Sequence, residues 1–204
     1  MSRRGVVKLI GLTGGVGMGK STSAALLRER GLALIDTDEV AREIVEPGQV
    51  VLEEIRKAFG DSVIDPAGRL RRDMLAHVIF ASESRRRELE AIMHPRIRHR
   101  WGEEVKLWKQ RGESVGVVVI PLLFETQAEA SFDAVVCVAC SPSTQEQRLS
   151  RRGWSLEESK RRIQAQWPIE KKLGLSRFVV WTEGDLESHR AQWLKILETL
   201  GIGQ

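Results

Sequence analysis

An α/β fold with a five-stranded parallel sheet is what this sequence predicts, and three observations predict it. Short apolar runs recur along the chain, at Val6–Thr13, Leu32–Asp36, Val115–Ile120, Phe132–Ala139 and Phe178–Trp181. Two of them, Val115–Ile120 and, apart from Asp133, Phe132–Ala139, are continuously apolar rather than alternating, as expected of strands covered on both faces. Between the runs, apolar residues recur at helical spacing, and the first run ends in a glycine cluster that opens a helix.

The first strand, Val6–Thr13, leads into glycines and then into STSAALLRER, whose Ala and Leu share a helix face. Gly31 is the stop signal of that helix, and Leu32–Asp36 is the second strand. From Glu39 to about residue 110 the character changes. VAREIV, VVLEEIRKAF, RDMLAHVIF, SRRRELEAIM and PRIRHRWGEEVKLWKQ all carry helical spacing, separated by turn signals at Pro47-Gly48, Asp65-Pro66-Ala67-Gly68 and His94-Pro95. This stretch is expected to be a helical insertion between strands. After the third and fourth strands, Ser141 caps a helix with Pro142 at its first position, running through Arg152. Ser155 and Glu158 form a capping box for a helix through Ala165. The fifth strand precedes a final helix capped by Asp185, with Trp193, Leu194, Leu197 and Leu200 on one face.

Composition bounds the partners. The chain of 204 residues is 42% hydrophobic and 29% charged with six prolines, which suits one α/β core with an insertion rather than two large domains or a disordered chain. No apolar run approaches the roughly 20 residues of a membrane span, so a cytoplasmic protein without membrane contact is expected. The net charge of +4 suits an anionic partner, but the arginines alternate with glutamates as on solvated helix faces, and nucleic acid is not the expected one. Cys137 and Cys140 fall on a strand, where residues three apart face opposite ways, so they are expected to be packing residues and not a disulfide or metal pair.

The segment GGVGMGKS, Gly14–Ser21, satisfies GxxxxGKS between a strand and a helix. Glycines let successive backbone N–H groups turn inward around phosphates, and the helix N-terminus adds partial positive charge. The loop therefore predicts a P-loop nucleotide fold of three layers. ATP is the expected cofactor, with Gly14, Gly15, Val16, Gly17, Met18, Gly19, Lys20, Ser21 and Thr22 forming the binding loop. Lys20 is expected on the β- and γ-phosphates, and the Ser21 hydroxyl on Mg²⁺.

The rest of the chain discriminates among P-loop proteins. Guanine-specific GTPases read their base with an NKxD loop, and this sequence has no asparagine. Motor ATPases end a strand in an acid that holds Mg²⁺, whereas VGVVVI runs into Pro121 and meets its first acid at Glu125. Acids do occur at the carboxyl end of the second strand, where phosphates are bound in such sheets. Asp38 there has two readings, as the group that takes the proton of an acceptor hydroxyl or as the N-cap of the next helix; Asp36 has a supporting one.

Seven segments then give a specific likeness. GLTGGVGMGKS (11–21), IDTD (35–38), GRLRRDML (68–75), MHPRI (93–97), PLLFE (121–125), QRLSRR (147–152) and RIQAQWP (162–168) occur in the order and spacing of the dephospho-CoA kinases, which nearly the whole chain resembles. The resemblance implies one P-loop kinase domain over 1–204, with a helical CoA-binding insertion about 39–110 and a helical lid about 141–168. It implies phosphoryl transfer from MgATP to the ribose 3′-hydroxyl of dephospho-CoA, with Asp38, Lys20 and Arg148 catalytic and Arg148 and Arg152 the arginines of the lid. The acceptor site it implies is lined by Thr13, Asp38, Arg72, His94, Leu123 and Glu125. Arg72 and His94 also read as helix-surface residues, and Glu125 as a neighbour of the metal or a packing residue. A monomer or weak homo-oligomer is expected.

The likeness breaks at one place. Where the family has an Ala-Asp and then an Asp-Asn pair around the last strand, beside the adenine, this chain has Ser176-Arg177 and Trp181-Thr182. Base recognition is therefore expected to rest on backbone groups. A kinase of another small acceptor, such as a nucleoside monophosphate, and an ATP-binding module without transfer are the alternative readings.

Overall fold

The computed structural model describes residues 7–202. In chain order its elements are β1 (Lys8–Gly14), α1 (Lys20–Glu29), β2 (Ala33–Asp36), α2 (Thr37–Glu43), α3 (Val50–Phe59), α4 (Arg72–Ala81), α5 (Glu83–Arg111), β3 (Val115–Val119), β4 (Ala134–Ala139), α6 (Pro142–Arg151), α7 (Leu156–Gln164), α8 (Ile169–Leu175), β5 (Phe178–Trp181) and α9 (Leu186–Thr199). The expected first strand is present from Lys8; its Val6 lies outside the described residues. The chain divides into two compact units, one comprising the residues to Asp36 and those from Leu107, the other Thr37–Lys106.

In the first unit the strands form one sheet in the order β2-β3-β1-β4-β5, parallel at every pairing. A parallel sheet needs cover on both faces, because its crossovers run over them. Ile10, Leu12, Val117, Val136 and Val138 turn one way, onto Leu27 of α1 and Trp193 and Leu197 of α9. On the opposite face Ala139 and its neighbour Cys140 meet Met18, with Ile169 and Leu173 of α8 packed against them. Gly116 of β3 also serves that face: a Cβ there would stand 2.2 Å from Cε3 of Trp108, so only glycine lets the indole lie on the strand. Each fully buried aliphatic side chain of this core contributes roughly 1.5–3 kcal/mol over an exposed one. Both cysteines are buried and free, Cys137 within β4 and Cys140 one residue past its end rather than on the strand as expected, and burial pushes the Cys137 thiol up to about 11. Along α9, Trp193, Ile196, Leu197 and Leu200 are buried; Ile196 takes the inward place expected of Leu194.

The second unit has its own core of Val45, Val51, Leu52, Ile55, Val63 and Leu75. Asp65 turns the chain between Ile64 and Leu70, accepting from the N–H groups of Ala67 and Arg69 at 2.9 and 2.8 Å, with Gly68 at φ 75°. One expectation fails. His94-Pro95 does not separate two helices: α5 runs unbroken for 29 residues with Pro95 inside it. Proline removes one hydrogen bond and crowds the carbonyl four residues back. Leu89, Ile92 and Met93 before it are anchored on the core, Trp101 and Val105 after it are buried, and those contacts hold both halves helical.

Candidate active site

The glycine loop between β1 and α1 has the shape its sequence demands. Gly14, Gly17 and Gly19 lie at φ 147°, 76° and 97°, with Gly19 the N-cap of α1. A Cβ on Gly14 would stand 2.3 Å from the Val138 carbonyl oxygen, so no other residue fits between β1 and β4 there. Lys20, the first residue of α1, donates from Nζ to the Gly14 and Gly15 carbonyls at 2.8 and 2.9 Å. Ser21 and Thr22 follow in the first turn with exposed side chains. Ser23 is buried and tied to α9: Trp193 Nε1 donates to its Oγ at 3.0 Å, and His189 Nε2 lies 2.8 Å from the same oxygen. An indole N–H can only donate. The serine oxygen therefore accepts from the indole and shares a second hydrogen bond with His189, whose pKa burial lowers, with Arg148 acting in the same sense.

A second layer holds the loop from the side of β5 and α6. Thr182 Oγ1 donates to the Met18 carbonyl at 3.0 Å. Arg148 of α6 donates to Thr182 Oγ1 at 2.8 Å and to the Thr182 carbonyl at 2.6 Å. Arg152 stands just past the end of α6 as its C-cap, exposed. Next to Thr182 in the chain, Glu183 takes hydrogen bonds from the Ser141 hydroxyl and N–H, from Thr144 Oγ1 at 2.7 Å and from Trp181 Nε1 at 3.0 Å. Those donors, the Ser141 hydroxyl foremost, pull its carboxyl down to about 2. The Trp181-Thr182 departure noted in the sequence thus carries Arg148 and the loop carbonyl together.

The Pro121–Glu125 segment lies beyond β3 in the same unit. Thr13 and Leu123, expected to line the acceptor site, are both 0% exposed. Thr13 Oγ1 donates to the Pro121 carbonyl at 3.2 Å, and Leu123 fills the space that a Cβ on Gly11 would take. Glu125 accepts on Oε1 from Trp167 N–H at 2.9 Å and pairs with Lys172 Nζ at 2.7 Å, while Lys172 also donates to the Pro121 carbonyl at 2.9 Å.

Asp38, Arg72 and His94 belong to the second unit. The helix α2 begins at Thr37, so Asp38 stands in its first turn, exposed, rather than ahead of it as a cap. Arg72 opens α4 and is exposed. His94 is partly buried within α5; burial lowers its pKa, opposed by Glu90 and aided by Arg98. Among the described residues no group of three or more His, Cys, Asp and Glu is arranged to hold a metal, and no helix is long and apolar enough to cross a membrane.

Sequence reasoning passed over Thr182 as a support of the loop, and over Gln145 and Lys172 altogether. A lysine and a glutamine in short polar helices give no periodic sign of burial, yet they are 0% and 6% exposed.

Comparison with known proteins agrees with this geometry. The family profile described as dephospho-CoA kinase matches residues 8–188. A dephospho-CoA kinase of Bdellovibrio bacteriovorus is 39% identical over 183 residues, 90% of each chain. One from Anaeromyxobacter dehalogenans is 41% identical over 199 residues, covering 97% of this chain and 94% of the relative. A crystal structure of a Thermus thermophilus protein superposes with a TM-score of 0.86 at 33% identity, over 97% of this chain and 99% of that one. A phosphate loop braced by Arg148 and Thr182, on a five-stranded parallel sheet, is thus met in a sequence whose relatives match it almost end to end, and the chain belongs to the dephospho-CoA kinase family.

Proposed function

We propose that this chain transfers the γ-phosphoryl group of ATP to the ribose 3′-hydroxyl of dephospho-CoA, giving coenzyme A and ADP, the last step of coenzyme A synthesis. The observation that carries the reading is the glycine loop opening α1, with Lys20 at its first position, in a chain of this family. In the reaction the 3′-oxygen attacks the γ-phosphorus, the bond to the ADP oxygen breaks, and the hydroxyl proton passes to a carboxylate, for which Asp38 is the candidate. Charge builds on the peripheral oxygens of the transferred group, so positive charge and positioning contribute more than proton removal. Lys20 and Arg148 supply that charge, with Arg152 at the end of α6.

The donor set suits Mg²⁺. Ser21 offers an exposed hydroxyl beside Lys20, a hard oxygen ligand of the kind that joins phosphates and water around this ion. Bound there, the ion would offset the charge on the β- and γ-phosphates; Ser21 is the residue that would hold it. Arg72, His94 and Glu125 are the candidate contacts to the acceptor. Thr13 and Leu123 are candidate lining residues of the same site, and their burial supports a part in shaping the Pro121–Glu125 segment.

The reading carries with it a cytoplasmic enzyme, a monomer or weak homo-oligomer, that does not bind nucleic acid. In support, arginines of α5 are taken up by glutamates, Arg85 with Glu88, Arg87 with Glu83, and Arg100 with Glu104, at 2.8, 2.6 and 3.1 Å. The test is ADP release by the purified protein with MgATP, with and without dephospho-CoA, checking the product by mass. Stimulated release with CoA formed is expected; bound ATP with no stimulation by dephospho-CoA would refute the acceptor and turn the search to nucleoside monophosphates.

A further inference from the structure

Two side chains outside the glycine motif grip it at a single residue. Val16 donates its N–H to Gln166 Oε1 at 2.9 Å and accepts on its carbonyl from Gln145 Nε2 at 2.7 Å. Gln145 sits in the middle of α6 and Gln166 just past the end of α7, so both flanks of the α6–α7 segment close on the two backbone groups of one loop residue. The amide assignments are forced, because a backbone N–H only donates and a carbonyl only accepts.

A trans peptide sets its C=O and the following N–H in opposite directions. Fixing one group therefore aims the other. Gln166 holds the N–H end of the Gly15–Val16 peptide, and the carbonyl at its other end is the one that accepts from Lys20 Nζ at 2.9 Å. Gln145 holds the carbonyl end of the Val16–Gly17 peptide, which turns the Gly17 N–H away from α6. Gly17 permits the approach: a Cβ there would stand 3.0 Å from Leu149 Cδ2 and 3.5 Å from Gln145 Cγ, at φ 76°. The next residue, Trp167, is anchored in turn by its N–H on Glu125 at 2.9 Å. Amides do this work without adding charge; a carboxylate in place of Gln166 would set an anion beside the phosphates.

We propose that Gln145 and Gln166 are positioning residues of the phosphate loop, which orient the two peptides around Val16 and so aim the Lys20 ammonium and the Gly17 N–H at the nucleotide. The proposal rests on the ATP reading above but not on the identity of the acceptor. It makes the α6–α7 segment and the loop one mechanical unit, so that displacement of either flank is felt at the phosphates.

The test uses Gln145→Met and Gln166→Met in the full chain, which keep volume and delete the hydrogen bond. Calorimetric titration with a non-hydrolysable ATP analogue is expected to show binding weakened about tenfold in each, the scale of one lost hydrogen bond to backbone. The double variant is expected to lose less than the product of the two, since both act on one residue. Melting temperatures without nucleotide should stay within a few degrees of wild type. Variants that bind the analogue within twofold of wild type, whatever their melting temperature, overturn the proposal. If a variant does not fold, hydrogen exchange of the Val16 N–H in the wild-type chain decides: slow exchange supports the clamp and free exchange overturns it. Wild-type protein that binds no ATP analogue would defeat the ATP reading itself, whereas binding without CoA formation would defeat only the acceptor.

Discussion

Replacing Lys172 by methionine would leave Glu125 in the interior without its cation. Lys172 is 0% exposed and the Glu125 side chain 14%, with Nζ and Oε1 2.7 Å apart. The same ammonium donates to the Pro121 carbonyl at 2.9 Å, and Glu125 Oε2 is buried with no hydrogen-bond partner among the described residues. Methionine has nearly the volume of lysine and adds no cavity, so the loss is electrostatic. Deleting one partner of a buried pair costs about 3–5 kcal/mol. The residual exposure of Glu125 lets water share its charge, which places the expectation at the lower end, about 3 kcal/mol. For a chain of this size each kcal/mol moves the melting temperature by about 2–4 °C, a fall of roughly 6–12 °C.

The assay is thermal and urea unfolding followed by tryptophan fluorescence, for Lys172→Met, Glu125→Gln and the double variant. Glutamine at 125 keeps an acceptor for the Trp167 N–H and removes the charge. The double variant should therefore recover about 2 kcal/mol relative to Lys172→Met alone, since what destabilises the single variant is the orphaned anion rather than the missing pair. A loss below about 1 kcal/mol in Lys172→Met, or a double variant no more stable than the single, would refute this reasoning. Because Thr13 and Lys172 share the Pro121 carbonyl, the single variant is also expected to raise KM for dephospho-CoA more than KM for ATP.

Asp38→Asn is expected to lower turnover by at least about 100-fold with ATP-analogue affinity unchanged by calorimetry; turnover within a few-fold of wild type would remove Asp38 from the chemistry. Gly116→Val drives a side chain into Trp108, whose ring lies 2.2 Å from the added Cβ position, and overpacking of this kind costs about 1–3 kcal/mol in urea unfolding; an unchanged midpoint would mean the indole has room to move. Glu183 is held at about 2 against an ordinary 4.5, so the folded state binds its proton more weakly than the unfolded one. Its contribution is complete above about pH 5 and lost as pH falls toward 2, and Glu183→Gln should flatten that limb of an acid titration; an unaltered limb would show that other carboxylates set it.

The glycine loop could be read from the sequence because its demands are local. Gly14, Gly17 and Gly19 need positive φ within a few residues of one another, and the strand before and the helix after leave their own periodic marks. The caps Ser141, Ser155 and Asp185 were legible for the same reason, each accepting from an N–H three residues on. Pro95 misled because a helix break is a local rule, while the contacts that override it, at Leu89 and Ile92 on one side and Trp101 on the other, are tertiary. The residues that aim the loop are further still from local grammar. Gln145 and Gln166 reach Val16 across 129 and 150 positions, and Lys172 reaches Pro121 across 51. In a helix wheel Gln145 and Lys172 read as solvated polar residues, and nothing in their own neighbourhood distinguishes them from the exposed Gln147 or Lys171; Gln166 falls in the RIQAQWP segment, which marks the family but not the residue's partner. A motif names the groups that touch a ligand, but the orientation of those groups is set by side chains whose only signal is where the fold delivers them. Substitutions at Gln145 and Gln166 leave the glycine motif intact to the eye and act through it, which is why their effect belongs in ligand affinity rather than in the melting temperature.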